Sequence, residues 1–396
     1  MDHVKADWDP MAHTDMDARM EQMAAVRAGC PVARSDHYGG VYTVLRYADL
    51  KAVASDPATF SSGGDPRFGA RLPPLEVDPP EHTVFRRVLQ RFWLPSRIRA
   101  MEPSVREKAI ALIDPVVAAR SGDLAREIAY PLPVFALCIL LGIEPENWMQ
   151  IKQWAEEQLG GLSDDPEVKA QAVAAHEHLL AHVRTIVDDR KLRPRNPDSD
   201  IASALLEVRQ DGQPLDEALV AGVLRILISA GHNSTTNALG NCMLYLASHP
   251  EAQEMLRAEP ARIPVAVEEL LRWESPVQEL PRWATKDTEI GDRPIKAGDR
   301  IAMLWGSGNR DEAVFDQPEE CRLDRKPNRH LAFGYGIHTC LGAPMARMEL
   351  RVVLEELLRR TDRFEISGSV VRKPYHHVGV AHLPVDIVPR GFSASA

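Results

Sequence analysis

Five cysteines, Cys30, Cys138, Cys242, Cys321 and Cys340, are an odd number at wide and irregular spacing, which excludes the disulfide framework of a small secreted protein. The opening run MDHVKADWDPMAHTDMD has acidic residues where an export signal needs a basic end and an apolar stretch. Neither secretion nor an anchor is expected from it, and the expected location is the cytoplasm. No Ser/Gly-rich linker, charge block or fixed-period repeat marks a boundary, so one domain over residues 1–396 is expected. Basic charge is also short: 47 Lys and Arg stand against 57 Asp and Glu, a net of -10. A sequence-independent grip on nucleic acid, which runs on clustered cations, is thereby disfavoured.

What is present is the make-up of a globular protein with a large core, 44% hydrophobic and 26% charged. The segment from Asp216 to His249 has no proline and is apolar on almost every face, which predicts a long helix buried all round. A membrane span is the competing reading, but Arg225, His232, Asn233 and Asn237 would each be costly in lipid. Further helices are predicted at 103–119, 130–143, 147–160, 166–191, 262–273 and 343–360. Extended pieces are predicted near 40–46, 283–302 and 364–389. The fold class expected is mainly α, a helical body with small sheets beside it.

The stretch HLAFGYGIHTCLGAP, residues 330–344, concentrates glycine around a single thiol. Gly334, Gly336 and Gly342 permit tight turns and close approach of a flat object to the backbone, with Phe333 as an aromatic neighbour. After Pro344 the apolar period is helical, so Cys340 lies just before a helix N-terminus, where an anion is favoured and a thiolate expected. A buried structural cysteine, a zinc site from His330, His338 and Cys340, and a cysteine nucleophile are alternatives, but each leaves the glycines unexplained.

Phe333, Gly334, Gly336, His338, Cys340, Leu341 and Gly342 resemble, at every defined position, the haem-binding signature of the cytochrome P450 family. The resemblance implies that Cys340 is the proximal thiolate ligand of the iron of haem b. Glu269 and Arg272 lie three apart on a predicted helix and match the family's buried Glu-x-x-Arg pair, with Arg322 or Arg325 as its third member. His82 and Arg86, four apart on one helix face, match the family's propionate-binding pattern. Arg282 and His338 occupy its other propionate positions. Buried carboxylates require charge-assisted partners of this kind.

In the long helix, Ala230-Gly231-His232-Asn233-Ser234-Thr235 stands where the family usually has an acid followed by two threonines and uses them to deliver protons to dioxygen. Asn233 cannot titrate, whereas Ser234 keeps a hydroxyl. Proton delivery through Ser234, water and His232 or Thr235 is one reading, and use of peroxide is the other. By position in the family, Phe60 to Pro80 covers the substrate and turns near 160–166 form a second lid. Leu227, Ala230, Val277 to Leu280 and Val378 to Val380 line an apolar pocket, and Arg67 or Arg71 offers a partner for a substrate carboxylate.

The resemblance implies a monooxygenase that inserts one atom of O2 into a small or medium organic molecule. It also implies that a separate ferredoxin or flavodoxin-like protein supplies the electrons. Arg86, Arg87, Arg91, Arg347 and Arg351 offer such a donor a basic patch, unless propionates and internal ion pairs use them. A peroxide-driven peroxygenase and a non-catalytic haem-thiolate sensor are the competing functions.

Overall fold

A computed structural model describes residue 9 and residues 16–64, 71–143, 148–158, 165–210, 212–373 and 378–391. Its centre is the helix Glu217–Ser248, started by Asp216, whose carboxylate accepts from the Ala218 N–H at 2.7 Å. Helices Leu132–Leu141, Pro166–Leu192, Ile263–Glu274 and Ala343–Arg360 pack around it. Together they form the largest apolar core, which includes Leu137, Val183, Leu239, Met243, Leu270 and Leu354. Among the described residues no helix is long and apolar enough to cross a membrane.

The central helix is not closed on every side. Leu227 and Ser234 are partly accessible and Ala230 is exposed. These three share one face at i, i+3 and i+7, so an open stripe runs along a helix otherwise buried in the core.

A five-stranded sheet flanks the body, in the order Val32–Ser35, Val41–Val44, Arg300–Leu304, Glu279–Ala284 and Phe60–Ser61. Strand Glu279–Ala284 pairs antiparallel with Arg300–Leu304, which sets Arg282 opposite Ile301. A three-stranded sheet joins Thr361–Ile366, Pro384–Pro389 and Ser121–Asp123, and a hairpin pairs Val371–Arg372 with Val380–His382.

One predicted boundary moves, and four helices are new. The helix expected from 103 begins at Pro95, with Pro103 and Pro115 inside it; Pro95 fills a first-turn position, where a missing N–H costs no hydrogen bond. Helices Met16–Gly29, Tyr47–Ser55, Ile201–Leu206 and Pro250–Ala258 have no counterpart in the sequence reading. They are short or weakly periodic and are held by packing rather than by their own pattern.

Charge locks the helix after Cys340 in place. Arg106 on Pro95–Ala119 donates to Glu102 at 2.8 Å, to Glu355 at 2.6 Å and to Glu356 at 2.6 Å, while Arg351 reaches Glu102 at 2.5 Å. The same helix carries Glu349, wholly buried, with neither carboxylate oxygen hydrogen-bonded. Burial pushes its pKa well above the ordinary carboxyl range.

The folded protein therefore holds Glu349 as the neutral acid where the unfolded chain, at about pH 4.3, begins to ionise it. Stability from this group is full below that value and is lost as pH rises toward the folded pKa, by up to about 1.4 kcal/mol per pH unit. Glu349→Met removes the titration and keeps the volume. Urea denaturation should find the variant more stable than wild type at pH 7, with a gap that widens from pH 5 to pH 8; a constant gap would contradict the account.

Candidate active site

The cysteine loop is fixed by its own backbone. Cys340 N–H donates to the Phe333 carbonyl at 2.8 Å, Gly334 N–H to Leu331 at 2.8 Å, and Thr339 N–H to Gly336 at 3.1 Å. Gly336 sits at φ 74°, and a Cβ there would lie 2.1 Å from the Ala54 carbonyl oxygen, so only glycine fits.

Cys340 has an exposed side chain, although protein encloses it on most sides. Burial pushes its thiol up, and the Gly342 and Ala343 N–H groups, Arg86 and Arg347 only partly offset this. The thiolate expected from the helix N-terminus alone is thus not what the surrounding protein favours; a further positive charge at the sulfur is needed to hold it.

Behind the loop, Glu269 and Arg272 are both wholly buried. Arg272 grips the carboxylate with Nε and Nη2, each at 2.8 Å. Arg325 is the third member, its Nε 3.0 Å from each Glu269 oxygen. Arg322 contributes only its backbone N–H, at 2.7 Å, and its side chain pairs with Asp316 outside. The guanidinium of Arg272 also donates to the carbonyls of Asn309, Pro318 and Glu320 at 2.8 to 2.9 Å, which ties this pair to the chain leading into the signature.

A second brace was not anticipated. Glu268 accepts from Arg347 at 2.7 and 2.8 Å and lies 3.0 Å from His330, which with Arg347 holds its carboxyl down at about 2 against the effect of burial. Arg347 also covers the Phe333 ring, 4.4 Å from its centroid. Nothing in the type or spacing of these residues announces the contact, because it joins two segments far apart in sequence.

These contacts count against one alternative and narrow one expectation. His330 is engaged by Glu268 and His338 lies 2.9 Å from Ser62 Oγ; among the described residues no His, Cys, Asp and Glu group is arranged for a metal ion, so the zinc reading falls. The basic patch also shrinks. Arg347 and Arg351 are spent on glutamates, Arg86 donates to the Thr339 carbonyl at 2.7 Å, and Arg91 pairs with Asp198.

His82, Arg86, Arg282 and His338 converge. The rings of His82 and His338 are 4.6 Å apart, edge to face. His338 is pushed down to about 3 by burial first and then by Arg282, His82 and Arg86. Burial lowers Arg282 to about 10, with Asp78 acting the other way. Arg282 is 5% exposed and donates to the adjacent Pro281 carbonyl, while the buried Nε2 of His82 has no well-formed hydrogen bond. Asp78 is already engaged by Ser61 and Ser62. Basic groups with so little counter-charge, beside an accessible thiol, suit a ligand that carries carboxylates and a metal. The residues present fit haem.

On the central helix, Ser234 lies on the open stripe and its Oγ donates to the Ala230 carbonyl at 3.3 Å. Asn233 is at the border of that stripe, and Thr235 is buried away from it. His232 is wholly buried, with Nδ1 2.7 Å from the Ile228 carbonyl, and its pKa is pushed down to about 3 by burial and then by Lys152. Burial thus favours its neutral form at physiological pH, in which no imidazolium proton is available to give.

Leu227, Ala230 and Val277 remain accessible, whereas Val378 packs into a core cluster with Met20, Met23 and Leu304 and is 1% exposed. Arg71 donates to the Gly63 carbonyl. Arg67 and residues 160–164 of the second lid, expected near 160–166, lie outside the described residues.

A family profile described as Cytochrome P450 matches residues 165–387. Erythromycin C-12 hydroxylase of Saccharopolyspora erythraea is 35% identical over 385 residues, 94% of this chain and 95% of that one. Linalool 8-monooxygenase of Pseudomonas putida is 32% identical, covering 89% of this chain and 90% of that one. The open structure of cytochrome P450 Eryk from S. erythraea superposes with a TM-score of 0.87 at 33% identity, over 98% of this chain and 100% of that one. The match over nearly the full length, with a thiol and a basic cluster brought together as haem b would require, makes this chain a cytochrome P450 monooxygenase.

Proposed function

We propose that residues 1–396 form one catalytic domain that inserts one oxygen atom from O2 into a C–H, C=C or heteroatom-alkyl bond of a small or medium organic molecule. Oxidative dealkylation would be hydroxylation followed by collapse of the product. The observation that carries this reading is the accessible Cys340 thiol on a doubly braced loop beside the under-compensated His82, Arg86, Arg282 and His338 cluster.

Cys340 would ligate the iron, and the four basic residues would hold the propionates. When bound, haem supplies the iron centre at which O2 is activated. The protein's own residues do the rest. Glu269, Arg272 and Arg325 keep the cysteine loop from yielding, so the sulfur is presented in one place. Binding two carboxylates gives the buried basic groups the counter-charge they lack.

Ser234 presents a hydroxyl on the open stripe, and its 3.3 Å bond to Ala230 is long enough to exchange for a better acceptor. Asn233 offers an amide beside it, with no titrating proton. Leu227, Ala230 and Val277 give the substrate an apolar wall.

Electrons come from a redox partner, here read as an acidic ferredoxin or flavodoxin-like protein. With Arg347 and Arg351 committed to internal pairs, Arg87 is the arginine of the original patch best suited to docking. The absence of an acid at 233, together with a neutral His232, favours a peroxide-driven enzyme as the second reading.

One experiment separates them. Haem-loaded protein is given a substrate that shifts its absorbance, then driven either by NADH, ferredoxin and reductase under 18O2 or by hydrogen peroxide. One labelled oxygen in the product of the first arm is expected. Product in the peroxide arm alone would make it a peroxygenase, and a spectral shift without product in either arm would make it a binding or sensing protein.

A further inference from the structure

A charged cluster that the reading above leaves unused lies against the central helix. Lys152 and Glu156 come from helix Trp148–Glu157, and Lys373 follows the strand Val371–Arg372. Lys152 is wholly buried and well served, with Nζ 3.0 Å from Thr236 Oγ1, 3.5 Å from Glu156, and 4.0 Å from the centroid of the Tyr130 ring. Glu156 also accepts from the Tyr130 hydroxyl at 3.1 Å. Two ammonium groups thus share one carboxylate, and the neighbouring His232 is neutral.

Lys373 is the poorly served member. Its Nζ is 3.4 Å from Asn233 Oδ1 and 3.9 Å from Glu156 Oε1, where good charge-assisted bonds run to about 2.7–2.9 Å. An ammonium has three donors, and the contacts made among the described residues engage at most two of them. Its side chain is 22% exposed, unlike that of Lys152 at 0%. Burial already lowers its pKa, which is the mark of a cation short of compensation. Asn233, to which it is tied, lies about 60° round the helix from Ala230, at about 100° per residue. The spare donor is therefore at the edge of the stripe formed by Leu227, Ala230 and Ser234.

We propose that Lys373, anchored on Asn233 at the border of the open helical stripe, binds the carboxylate of an acidic organic substrate whose apolar body lies along Leu227 and Ala230. This rests on the monooxygenase reading and narrows it to a substrate class. The charge count selects a monocarboxylate: Lys152 and Lys373 against Glu156 leave one excess positive charge, which one carboxylate neutralises and a phosphate dianion would exceed. Lys373 thus replaces Arg67 and Arg71 as the group expected to recognise an acid.

The test uses haem-loaded protein with phenylacetate, 4-phenylbutyrate and decanoate, each paired with its methyl ester, and binding is read by calorimetry and by the haem absorbance shift. Wild type should bind at least one acid tenfold or more tightly than its ester. Lys373→Met should abolish that preference by weakening the acid while the ester stays within about twofold, and Lys373→Arg should retain it. Glu156→Gln, which removes the competing carboxylate, should tighten the acid several-fold.

No preference for any acid in wild type, or a preference that survives Lys373→Met, overturns the proposal. So does an acid weakened equally by Lys373→Met and Lys373→Arg, since charge would then not be the cause. Failure of wild type to take up haem would instead overturn the assignment of Cys340, and the two failures are told apart by the absorbance spectrum before any probe is added.

Discussion

Glu269→Ala should not accumulate as a stable folded protein. The Glu269 carboxylate is wholly buried and accepts from Arg272 Nε and Nη2, Arg325 Nε, the Arg322 N–H and Asn328 Nδ2 at 2.7 to 3.0 Å. Its removal leaves two buried guanidinium groups without their anion. Breaking one buried pair costs about 3–5 kcal/mol, against a total stability of about 5–15 kcal/mol for an ordinary protein.

Both arginines also donate to carbonyls between Asn309 and Glu320, so repulsion between them would open the segment that leads to the cysteine loop. Arg322→Ala is the internal control. Its side chain pairs only with exposed partners near Asp316 and Gln317, and exposed pairs are worth about 0–1 kcal/mol. Its useful group, the backbone N–H, survives the substitution. Thermal denaturation of the haem-free proteins should place Arg322→Ala within a few degrees of wild type and find Glu269→Ala unfolded or far less stable. A Glu269→Ala midpoint beside that of the control would show that the buried network is dispensable.

The same contrast explains how much could be read from sequence. Helix Glu217–Ser248 was legible because it is apolar on every face and free of proline. The cysteine loop was legible because its glycines and thiol are local and contiguous. Arg325 and Arg322 are both arginines a few residues from the signature, and only the turn between Asp316 and Arg325 decides which side chain points inward. That decision is tertiary and leaves no periodic trace.

Glu268 with Arg347, and Lys373 with Asn233, join segments separated by 79 and 140 residues. For Val378 the family's positional pattern indicated a pocket, yet its side chain packs in the cluster with Met20 and Met23. Motif and pattern therefore located the cofactor's cradle, while the pairing of charges across distant segments had to come from the fold.

Cys340→Ser should separate the site from the fold in a way that Glu269→Ala cannot. The sulfur belongs to no apolar core and its side chain is exposed, while the loop is held by the Cys340 N–H to Phe333 and by Gly334 and Thr339 bonds that use backbone alone. A serine hydroxyl can accept from the Gly342 and Ala343 N–H groups in place of sulfur. The haem-free variant is therefore expected to unfold within about 1 kcal/mol of wild type, in the range of a surface substitution.

Its ligand chemistry should change completely. A hydroxyl does not give iron the electron density of a thiolate, so the reduced, carbon monoxide-bound variant should lose the red-shifted absorbance of a thiolate-ligated haem. Three of the other four cysteines are poor substitutes as ligand, since burial pushes Cys138 up to about 11 and Cys321 up to about 12, and Cys242 higher still; the fourth, Cys30, packs against the separate cluster of Met20 and Met23, and its sulfur accepts from Arg293 at 3.2 Å. Cys138 and Cys242 are buried, and Cys321 is half-buried, its backbone carbonyl accepting from the Tyr245 hydroxyl.

Alkylation gives an independent reading without the spectrum. In haem-free wild type, iodoacetamide should modify Cys340 far faster than Cys138 or Cys242, and loading with haem should protect it. An unprotected Cys340, or a Cys340→Ser protein with the thiolate spectrum intact, would require that the iron be held elsewhere. Retained fold with lost thiolate absorbance would instead show that the braces at Glu268 and Glu269 carry the stability of the loop, and that the thiol they present is reserved for the metal.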